Sequence, residues 1–456
     1  MRLGRIEHLH FMGVGGVGMC ALAELLSGEG RTVTGCDVRP SERTRLLADR
    51  GVEVHEGHDP RHVEDAQALV ITAAVDGNHA EVEAARQRGI PVVRRATLLA
   101  EVMRGHIGVA VAGTHGKTTT TSLLGHALAD CGLDPTVVVG GFVPDFGGHA
   151  RRGGGDLMVC EADEYDRSFL ELAPAWLVVT NVEAEHLDTY GDASELEAAF
   201  IELAGRVPFY GAVVACADDP GALRVARASG RRVLTYGTGD EAWLRAVDID
   251  PAGAGSRARV LVGGREVGEI TVPMPGEHNV RNALAVVAIG LELGCSFADL
   301  AAAVGNFGGI ERRFQVLGER DGVTVVDDYA HHPTEVEALL AAARQRFPGR
   351  RLVVVFQPHL YTRTRRFARE FGAALALADR VLVAPLYPAR ETAIVGVDAS
   401  LVARAVEQAG GRAEAAGTLE AVVERLDGIL GAGDVLLTVG AGDVDRVGRW
   451  WIGGGA

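Results

Sequence analysis

Three features are missing from this sequence, and each absence argues against a class of protein. No apolar run is long enough to cross a membrane, and the N-terminal stretch MRLGRIEHLH lacks the apolar region of a secretory signal peptide. The formal net charge is −16, whereas a nucleic-acid-binding surface needs a basic stripe. The six cysteines are far apart and form no C-x-x-C pair, so we expect neither a disulfide framework nor a zinc site. We therefore predict a cytoplasmic protein that binds neither nucleic acid nor the membrane interior, and the sequence identifies no protein partner.

The sequence does contain many short β-branched runs that alternate with stretches of Ala, Leu, Glu and Arg. This alternation is typical of parallel sheets covered by helices. A chain of 456 residues is too long for one core, and it divides into three sets of such units. We predict an α/β protein with a Rossmann-like domain at 1–105, a central P-loop ATPase-like domain at 106–310 and a Rossmann-like C-terminal domain at 311–456.

Some segments within these domains have a more specific pattern. The first unit is predicted as strand 6–12, a glycine loop and a helix over about 17–28. Residues 96–106 are predicted as a connector between the first two domains. The run RARVLVGGREVGEITV, from 257 to 272, alternates around two glycines. It predicts a small antiparallel hairpin beside the central parallel sheet.

Two glycine-rich loops follow predicted strands, at the edge where open parallel sheets bind ligands. In the first, GVGGVGM, the residues Gly13, Gly15 and Gly18 have G-x-G-x-x-G spacing. Asp37 ends the next strand, where an acid usually meets ribose hydroxyls. The motif recognises a diphosphate at a helix N-terminus rather than the group beyond it, so it fits UDP as well as NAD(P).

The second loop, GTHGKTT at 113–119, follows an apolar strand and opens a helix. Its glycines let backbone N–H groups converge on phosphate oxygens. Lys117 would neutralise the β- and γ-phosphates, and the Thr118 hydroxyl would ligate Mg²⁺. The loop is shorter than a strict Walker A loop, because Ala112 stands five residues before the lysine. We predict phosphate binding here, and an ordinary strand–helix turn is the alternative.

Acidic and imidazole groups after two further strands of the central domain could complete a metal site. The stretch CEADEYD ends one strand, and its Glu161 or Asp163 could reach an ion held at the lysine loop. His186 in TNVEAEHLDTY lies just past another strand and could ligate a second divalent ion. The alternatives for these residues are solvated acids, a helix cap and a structural histidine.

The segment GEHNVRNA at 276–283 starts a helix and contains His278, Asn279 and Asn282. Asparagine amides both donate and accept hydrogen bonds, which suits the edge of an adenine ring. Asparagine is also a common helix cap, and this local role is the alternative.

Two strand ends of the third domain are followed by polar side chains. Asp328 could accept hydrogen bonds from ribose hydroxyls. The arginines of FQPHLYTRTRR open a helix, where positive charge opposes the helix dipole, and this mismatch favours an anionic partner. The other polar residues at these strand ends are Tyr329, His331, His332, Arg363, Arg365 and Arg366.

Taken together, these segments resemble the Mur ligases, the ATP-dependent amide-forming enzymes of peptidoglycan synthesis. The matching motifs, in order along nearly the whole chain, are GVGGVGM, GTHGKTTT, EADEYD, NVEAEHLDTY, GEHNVRNA, ERRF, DDYAHHPTE, FQPHLYTRT and TVGAGD. The resemblance implies that UDP-N-acetylmuramic acid and L-alanine are joined through an acyl phosphate, with ATP and Mg²⁺ as cofactors. The alternatives are a sister ligase that adds a preformed tripeptide, an NAD(P)-dependent oxidoreductase and a P-loop NTPase switch or motor.

The resemblance also implies roles for individual residues. The UDP substrate would be bound by Gly13, Gly15, Gly16, Gly18 and Asp37. The ATP site would comprise Gly113, Thr114, His115, Gly116, Lys117, Thr118, Thr119, His278, Asn279, Asn282, Arg313 and Asp328. Metal ions would be held by Thr118, Glu161 and His186, and the amino-acid site would contain Tyr329, His331 and Arg363. Catalytic roles would fall to Lys117, Glu161, His186, His331 and Arg363.

Two positions depart from the family pattern. Leu360 stands where many members have arginine, and Ala330 stands where many have glycine. The leucine affects one side-chain contact to the anionic substrate and not the reaction. Other branches of the family carry a modified lysine that bridges the metal ions, and we identify no counterpart of it in this sequence.

Overall fold

The computed structural model describes residues 3–185, 187–389 and 391–454. They form three sheets with helices between the strands, which confirms the predicted α/β class with three sheets. No helix in these three ranges is long and apolar enough to span a bilayer. The predicted domain boundaries remain a prediction. The chain divides into two compact units, a first unit of Met1–Asp248, Ala258–Thr271 and Val280–Gly308 and a second unit of Ile249–Arg257, Val272–Asn279 and Gly309–Ala456.

The first sheet has five parallel strands. They are β1 (His8–Met12), β2 (Thr32–Asp37), β3 (Glu53–Glu56), β4 (Ala68–Ile71) and β5 (Val92–Arg94). Their order is β3-β2-β1-β4-β5, so the end of the central strand β1 is the topological switch point where such sheets bind ligands. The helices of this part are α1 (Val17–Gly28), α2 (Glu42–Asp49), α3 (Ala80–Gln87) and α4 (Arg95–Met103).

The predicted connector over 96–106 is wrong for most of its length, because α4 occupies it. The sequence RATLLAEVM contains no glycine or proline and is rich in good helix formers. Its Leu98, Leu99 and Val102 are buried, so tertiary packing as well as intrinsic propensity favours the helix. The predicted helix over 17–28 agrees with α1, whereas the strand predicted at 6–12 is shorter and begins at His8.

The second sheet has ten strands. They are β6 (Ile107–Ala112), β7 (Thr136–Val143), β8 (Gly148–Arg151), β9 (Leu157–Ala162), β10 (Trp176–Val179), β11 (Ala212–Cys216), β12 (Val233–Gly237), β13 (Leu244–Ala252), β14 (Gly255–Val262) and β15 (Arg265–Val272). Their order is β15-β14-β13-β12-β11-β10-β6-β9-β7-β8, and β6 is parallel to both of its neighbours, β9 and β10. The helices are α5 (Lys117–Asp130), α6 (Leu187–Tyr190), α7 (Ala193–Gly205), α8 (Pro220–Ala228), α9 (Glu277–Glu292) and α10 (Phe297–Gly305).

The predicted hairpin is confirmed at the edge of this sheet. Strands β14 and β15 are neighbours and are joined by Gly263 and Gly264. Both glycines have positive φ angles, +55° and +80°, as a two-residue hairpin turn requires. Strand β13 was not predicted separately, and it connects the hairpin to the parallel part of the sheet.

The third sheet has six strands. They are β16 (Gln315–Arg320), β17 (Val323–Asp328), β18 (Leu352–Phe356), β19 (Arg380–Val383), β20 (Ala413–Ala415) and β21 (Val435–Val439). The order is β16-β17-β21-β18-β19-β20, and only β16 pairs in the antiparallel sense. Strands β18 and β21 are completely buried, because apolar clusters cover both faces of the sheet, and all their residues except Thr438 are apolar. The helices are α11 (Pro333–Arg346), α12 (Tyr361–Arg366), α13 (Ala368–Leu375), α14 (Ala399–Gln408), α15 (Leu419–Leu426) and α16 (Asp445–Gly453).

Candidate active site

The loop between β6 and α5 has the backbone that a phosphate-binding turn requires. Gly113 and Gly116 have φ angles of +135° and +80°, a region that favours glycine. Helix α5 begins at Lys117, directly after the second of these glycines, so the positive end of its dipole lies at the loop. A Cβ atom on Gly113 would lie 2.0 Å from Thr180 Oγ1, so no other residue fits there without a rearrangement.

The end of strand β10 holds this loop in place. The N–H of Thr114 donates to the carbonyl of Asn181 at 3.1 Å, and the N–H of His115 donates to the side-chain oxygen of Asn181 at 2.8 Å. The hydroxyl of Thr180 donates to the carbonyl of His115 at 2.6 Å. Thr180 and Asn181 were not predicted as site residues, and the only sequence signal for them is their position directly after a strand of the same domain.

Lys117 is paired with an acid that the sequence analysis missed. Its Nζ donates to both carboxylate oxygens of Glu164, at 2.8 and 3.1 Å, and to the carbonyl of Gly113 at 2.6 Å. Burial acts to lower the pKa of Lys117, but Glu164 and Asp163 outweigh it and raise the pKa, so the lysine is charged. Burial raises the pKa of Glu164 to about 7 against the opposing charge of Lys117. Its only sequence signal is that it is the third acid of CEADEYD.

Lys117 is also the only lysine in the sequence. No second lysine is therefore available to bridge metal ions. Lys117 is therefore the only lysine that can neutralise phosphate charge. The other side chains that can carry positive charge are arginines and histidines.

Two of the predicted metal ligands lie next to each other. The Thr118 hydroxyl donates to Glu161 Oε2 at 3.2 Å, and the N–H of Gly140 donates to the other carboxylate oxygen. Burial raises the pKa of Glu161, and the hydrogen bond from Gly140 and the charge of Lys117 oppose the shift. Hydroxyl and carboxylate oxygens are the donors that Mg²⁺ prefers, so this pair fits the predicted ion. Asp163, the other candidate, is exposed.

His186, the third predicted metal ligand, lies outside the described residues. Its neighbours along the chain can still be placed. Strand β10 ends at Val179, and the segment that follows contacts the phosphate loop. Besides the hydrogen bonds of Thr180 and Asn181, the N–H of Glu183 donates to Thr114 Oγ1 at 2.9 Å. The proposed role of His186 as a ligand of a second ion remains a prediction.

Helix α9 carries the three residues that were predicted near the adenine. Asn282 belongs to the first unit, and its Oδ1 would lie 2.8 Å from a Cβ atom placed on Gly116, so it packs against the phosphate loop. His278 and Asn279 belong to the second unit. The Asn279 amide donates to the carbonyl of Pro275 at 2.8 Å, just before the helix. This bond is not the helix cap that the sequence left open, because a capping side chain accepts an N–H group at the helix start.

The first glycine loop is closed by Asp37. Its Oδ2 accepts the N–H of Gly15 at 2.9 Å, and the carbonyl of Cys36 accepts the N–H groups of Gly13 and Val14 at 2.8 and 3.0 Å. Gly13 has a φ angle of +79°, and helix α1 begins directly after Gly16. The structure therefore places the predicted glycines and the predicted acid in one turn at a helix N-terminus.

Two arginines that the sequence analysis did not single out lie beside the same loop. Arg43 Nε donates to the carbonyl of Gly15. Arg95 lies so close to Gly18 that a Cβ atom there would be 3.0 Å from its Cδ. These guanidinium groups can pair with phosphate oxygens, and neither is separated from the loop by another side chain. Nothing in the local sequence of either arginine indicates this position.

In the second unit, Asp328 ends strand β17 in a buried position. Its two oxygens accept the N–H groups of Phe314 and Ala330 at 2.7 and 2.8 Å. Burial raises its pKa to about 6, and the charge of Arg313 opposes the shift. Arg313 lies over the ring of Tyr329, 5.4 Å from its centroid. The structure thus brings Asp328, Arg313 and Tyr329 together, and the carboxylate keeps lone pairs for further donors.

The predicted amino-acid residues form a second group in this unit. His331 Nδ1 lies 3.0 Å from the carbonyl of Tyr329, and its ring lies 6.0 Å from that of His359. Arg363 Nη1 lies 3.4 Å from His359 Nδ1. Burial, together with His331 and Arg363, lowers the pKa of His359 to about 3, so this imidazole is neutral and can accept from the arginine. His359 was not predicted, although it lies in the motif FQPHLYTRT.

The two departures from the family pattern have different local structures. Leu360 has a φ angle of +67°, which is strained for a residue with a branched side chain, and its carbonyl accepts the Thr364 hydroxyl at 2.7 Å. Ala330 is buried and donates its N–H to Asp328, so the extra methyl group is accommodated. Of the other basic residues predicted here, His332 and Arg366 both pack against the ring of Phe367.

Comparison with known proteins agrees with the order of these sites along the chain. Family profiles match residues 8–107 (Mur ligase family, catalytic domain), 111–290 (Mur ligase middle domain) and 312–442 (Mur ligase, glutamate ligase domain). The chain is 46% identical to a UDP-N-acetylmuramate–L-alanine ligase of Salinibacter ruber, over 99% of this chain and 95% of the relative. It is 44% identical to the ligase of the same name from Oleidesulfovibrio alaskensis, over 99% of this chain and 100% of the relative.

Solved structures show the same likeness. The crystal structure of the UDP-N-acetylmuramate–alanine ligase of Thermotoga maritima superimposes with a TM-score of 0.85, at 29% identity, over 98% of both chains. A murein peptide ligase from Psychrobacter arcticus has a TM-score of 0.73 at 24% identity over 98% of both chains, and it shares the fold.

Proposed function

Because this chain belongs to the Mur ligase family, we propose that it joins L-alanine to the lactyl carboxylate of UDP-N-acetylmuramic acid and converts ATP to ADP and phosphate. The observation that carries the proposal is the phosphate loop, where Lys117 pairs with Glu164 and Thr118 bonds to Glu161, in a chain that is 46% identical over its length to an enzyme of that name. The protein is an ATP-dependent ligase of peptidoglycan precursor synthesis. Its six cysteines are free where the structure describes them, in keeping with the predicted cytoplasmic location.

The chemistry explains why a nucleotide site is needed. A carboxylate is a poor acyl donor, because its own oxygen would have to leave. Transfer of the γ-phosphoryl group of ATP to a carboxylate oxygen gives an acyl phosphate and ADP. The amine of L-alanine then attacks the acyl carbon, and the tetrahedral intermediate collapses with loss of phosphate and a proton to give the amide.

The residues of the central sheet have distinct parts in this scheme. The loop N–H groups at the start of α5 bind phosphate oxygens, and Lys117 supplies positive charge beside them. Glu164 holds the lysine in the loop through two hydrogen bonds and so positions it. Thr118 and Glu161 would hold Mg²⁺, which when bound neutralises charge on the transferring phosphoryl group. His186 is proposed as a ligand of the second ion.

The other two sheets would bind the remaining groups. The first glycine loop, with Asp37, Arg43 and Arg95, is suited to the diphosphate and ribose of the UDP substrate. In the second unit, Asp328 and Arg313 are proposed to contact the ATP ribose and phosphates. Tyr329, His331 and Arg363 are proposed for the substrates, where the guanidinium group can pair with a carboxylate.

Product analysis distinguishes the alanine-adding reaction from its closest alternative. The purified protein is incubated with ATP, Mg²⁺ and UDP-N-acetylmuramic acid, and either L-alanine or the preformed tripeptide is added. We expect mass spectrometry to detect the alanine amide. Formation of only the tripeptide adduct would instead indicate the sister ligase. Hydride transfer to or from NAD(P) would indicate an oxidoreductase.

The acyl phosphate is tested by isotope transfer. If the substrate carboxylate is labelled with ¹⁸O, one labelled oxygen must appear in the released phosphate, because the carboxylate oxygen that was phosphorylated leaves with phosphorus. Unlabelled phosphate formed together with the amide would contradict the proposed intermediate.

A further inference from the structure

A buried polar cluster in the first unit has no part in the ligase reaction described above. It contains His10 from β1, Cys36 from β2, His62 from the turn Pro60–Val63 and Glu81 from α3. One nitrogen, sulfur or oxygen atom of each residue lies within 4.8 Å of those of the other three. His10, Cys36 and Glu81 are completely buried, and His62 is half-buried. We call this group the four-donor cluster.

The hydrogen bonds around His10 leave a lone pair pointing into the interior. The carbonyl of Asp65 can only accept, so the Nδ1 of His8, 2.8 Å away, carries a hydrogen. The Nε2 of His8 lies 3.1 Å from Thr34 Oγ1 and accepts its hydroxyl hydrogen. Thr34 Oγ1 in turn accepts from His10 Nδ1 at 2.8 Å. His10 Nε2 is therefore the unprotonated nitrogen, and it is buried without a hydrogen-bond partner among the described residues.

The other donors converge on the same point. Glu81 accepts the N–H of Asp59 at 3.0 Å, and its carboxylate lies 2.8 Å from His62 Nδ1. Cys36 Sγ lies 3.5 Å from each of the two Glu81 oxygens. His58 Nδ1 also lies 3.1 Å from Glu81 Oε2 and 3.3 Å from Cys36 Sγ. These partners hold the pKa of Glu81 below its usual range in spite of burial, so the carboxylate is charged and available to a divalent cation.

The size and surroundings of the cluster fit a small ion. Tetrahedral zinc has bonds of about 2.0–2.3 Å, which separate its donor atoms by about 3.3–3.8 Å, so movements of about 1 Å or less bring four donors onto one ion. A cavity of about 310 Å³ lies beside the cluster and is lined in part by His8, Thr34, His55 and His62. It gives an ion a route from the surface.

We propose that His10 Nε2, Cys36 Sγ, a ring nitrogen of His62 and a carboxylate oxygen of Glu81 bind one zinc ion per chain. Two nitrogens, one sulfur and one oxygen are a typical zinc donor set, whereas Mg²⁺ and Ca²⁺ select oxygen donors. Binding replaces the proton of the Cys36 thiol, which is released to solvent. Thr34 and the N–H of Asp59 act as outer contacts that orient His10 and Glu81.

The proposed site differs from the expectation from cysteine spacing. The four donors come from four separate elements and include only one cysteine, so no C-x-x-C pair signals them. The cluster lies directly behind the first glycine loop, since the carbonyl of Cys36 accepts the N–H groups of Gly13 and Val14. The ion would tie β1, β2 and α3 together beneath that loop.

Cobalt spectroscopy of the full-length protein tests the proposal without any substitution. The protein is stripped of metal with a chelator, dialysed and titrated with Co²⁺ in the presence of excess Mg²⁺, which occupies oxygen-donor sites. We expect one equivalent of cobalt to produce thiolate-to-cobalt charge-transfer absorption and the visible bands of a tetrahedral ion, and added zinc to abolish both. Absence of the charge-transfer absorption at excess cobalt would overturn the proposal.

Matched cysteine variants identify the ligand. Cys36→Ser should lose the charge-transfer absorption, and both Cys36→Ser and His10→Gln should bind zinc at least about tenfold more weakly. Cys20→Ser is the control, because Cys20 is equally buried in the same unit and lies outside the four-donor cluster. Equal zinc affinity in Cys36→Ser and Cys20→Ser would contradict the assignment. If circular dichroism shows that Cys36→Ser does not fold, the cobalt spectrum of the unsubstituted protein still decides.

Discussion

At the scale of single residues, the charge of Lys117 is fixed by neighbours that come from distant parts of the sequence. The lysine follows β6, and its partner Glu164 follows β9, a strand that pairs with β6 in parallel. The motif predicted the lysine because glycines, lysine and threonine are adjacent in sequence. The motif could not show that Glu164 rather than Asp163 pairs with Lys117. The two acids are adjacent in sequence, and they differ only in the direction of their side chains after the strand ends.

The substitution Lys117→Ala should lower the rate of amide formation at least about a hundredfold, because it removes a preorganised charge from the transferring phosphoryl group. The measurement is steady-state turnover, with the melting temperature as the check on folding. Lys117→Arg is the matched control for charge, and we expect it to retain more activity than the alanine variant. Near-normal turnover in Lys117→Ala would remove the loop from the mechanism.

His186 is predicted to ligate a divalent ion on the strength of its place in NVEAEHLDTY. His186→Ala should therefore raise the Mg²⁺ concentration that gives half-maximal rate, while ATP still binds. The measurement is the rate as a function of Mg²⁺ at saturating substrates. His126→Ala is a control for the loss of an imidazole, since His126 lies on α5 and contacts Asp145. An unchanged magnesium dependence in the His186 variant would refute the assignment.

At the scale of elements, two loops at the ends of central strands carry the predicted chemistry. The β6–α5 loop is held by hydrogen bonds from the end of β10, and the β1–α1 loop is held by Cys36 and Asp37 at the end of β2. Sequence patterns located both loops, since glycines mark the turn locally. They did not reveal Thr180, Asn181, Arg43 or Arg95, because these contacts depend on which elements become neighbours.

The phosphate loop should not tolerate Gly113→Ala. The new Cβ atom would lie 2.0 Å from Thr180 Oγ1, and the φ angle of +135° is unfavourable for alanine. Backbone strain of this kind costs about 1–3 kcal/mol, so we expect a lower melting temperature and weaker ATP binding by calorimetry. Gly28→Ala is the control, because a Cβ atom at the end of α1 meets nothing within 4 Å. Equal ATP affinity in both variants would contradict the loop geometry.

The first glycine loop should bind the UDP substrate and not a nicotinamide cofactor. We expect UDP-N-acetylmuramic acid to raise the melting temperature, and NAD⁺ or NADPH at the same concentration to leave it unchanged. Asp37→Ala should weaken binding of the UDP substrate and leave ATP affinity nearly unchanged. The Asp37 carboxylate accepts the N–H groups of Gly15, in the first loop, and of Arg39. Saturable NAD(P) binding that competes with the UDP substrate would overturn this assignment.

At the scale of the whole molecule, the three-sheet α/β architecture followed from the alternation of strands and helices. The errors came from elements that the pattern does not mark. Helix α4 lies where a connector was predicted, and the edge strand β16 and the strand β13 were not anticipated. Within the first unit the structure brings Thr118 and Glu161 together, and within the second it brings Arg313, Asp328 and Tyr329 together. His186 lies outside the described residues.

We propose that this Mur ligase couples ATP cleavage to amide formation on UDP-N-acetylmuramic acid. The most direct measurement is phosphate release with ATP and Mg²⁺, in the presence of both substrates and with each one omitted in turn. We predict steady release only when UDP-N-acetylmuramic acid and L-alanine are both present. The phosphate should equal the amide in amount, and its release should be at least about a hundredfold slower in Lys117→Ala. Phosphate release at the same rate without L-alanine, or without the sugar nucleotide, would contradict the account.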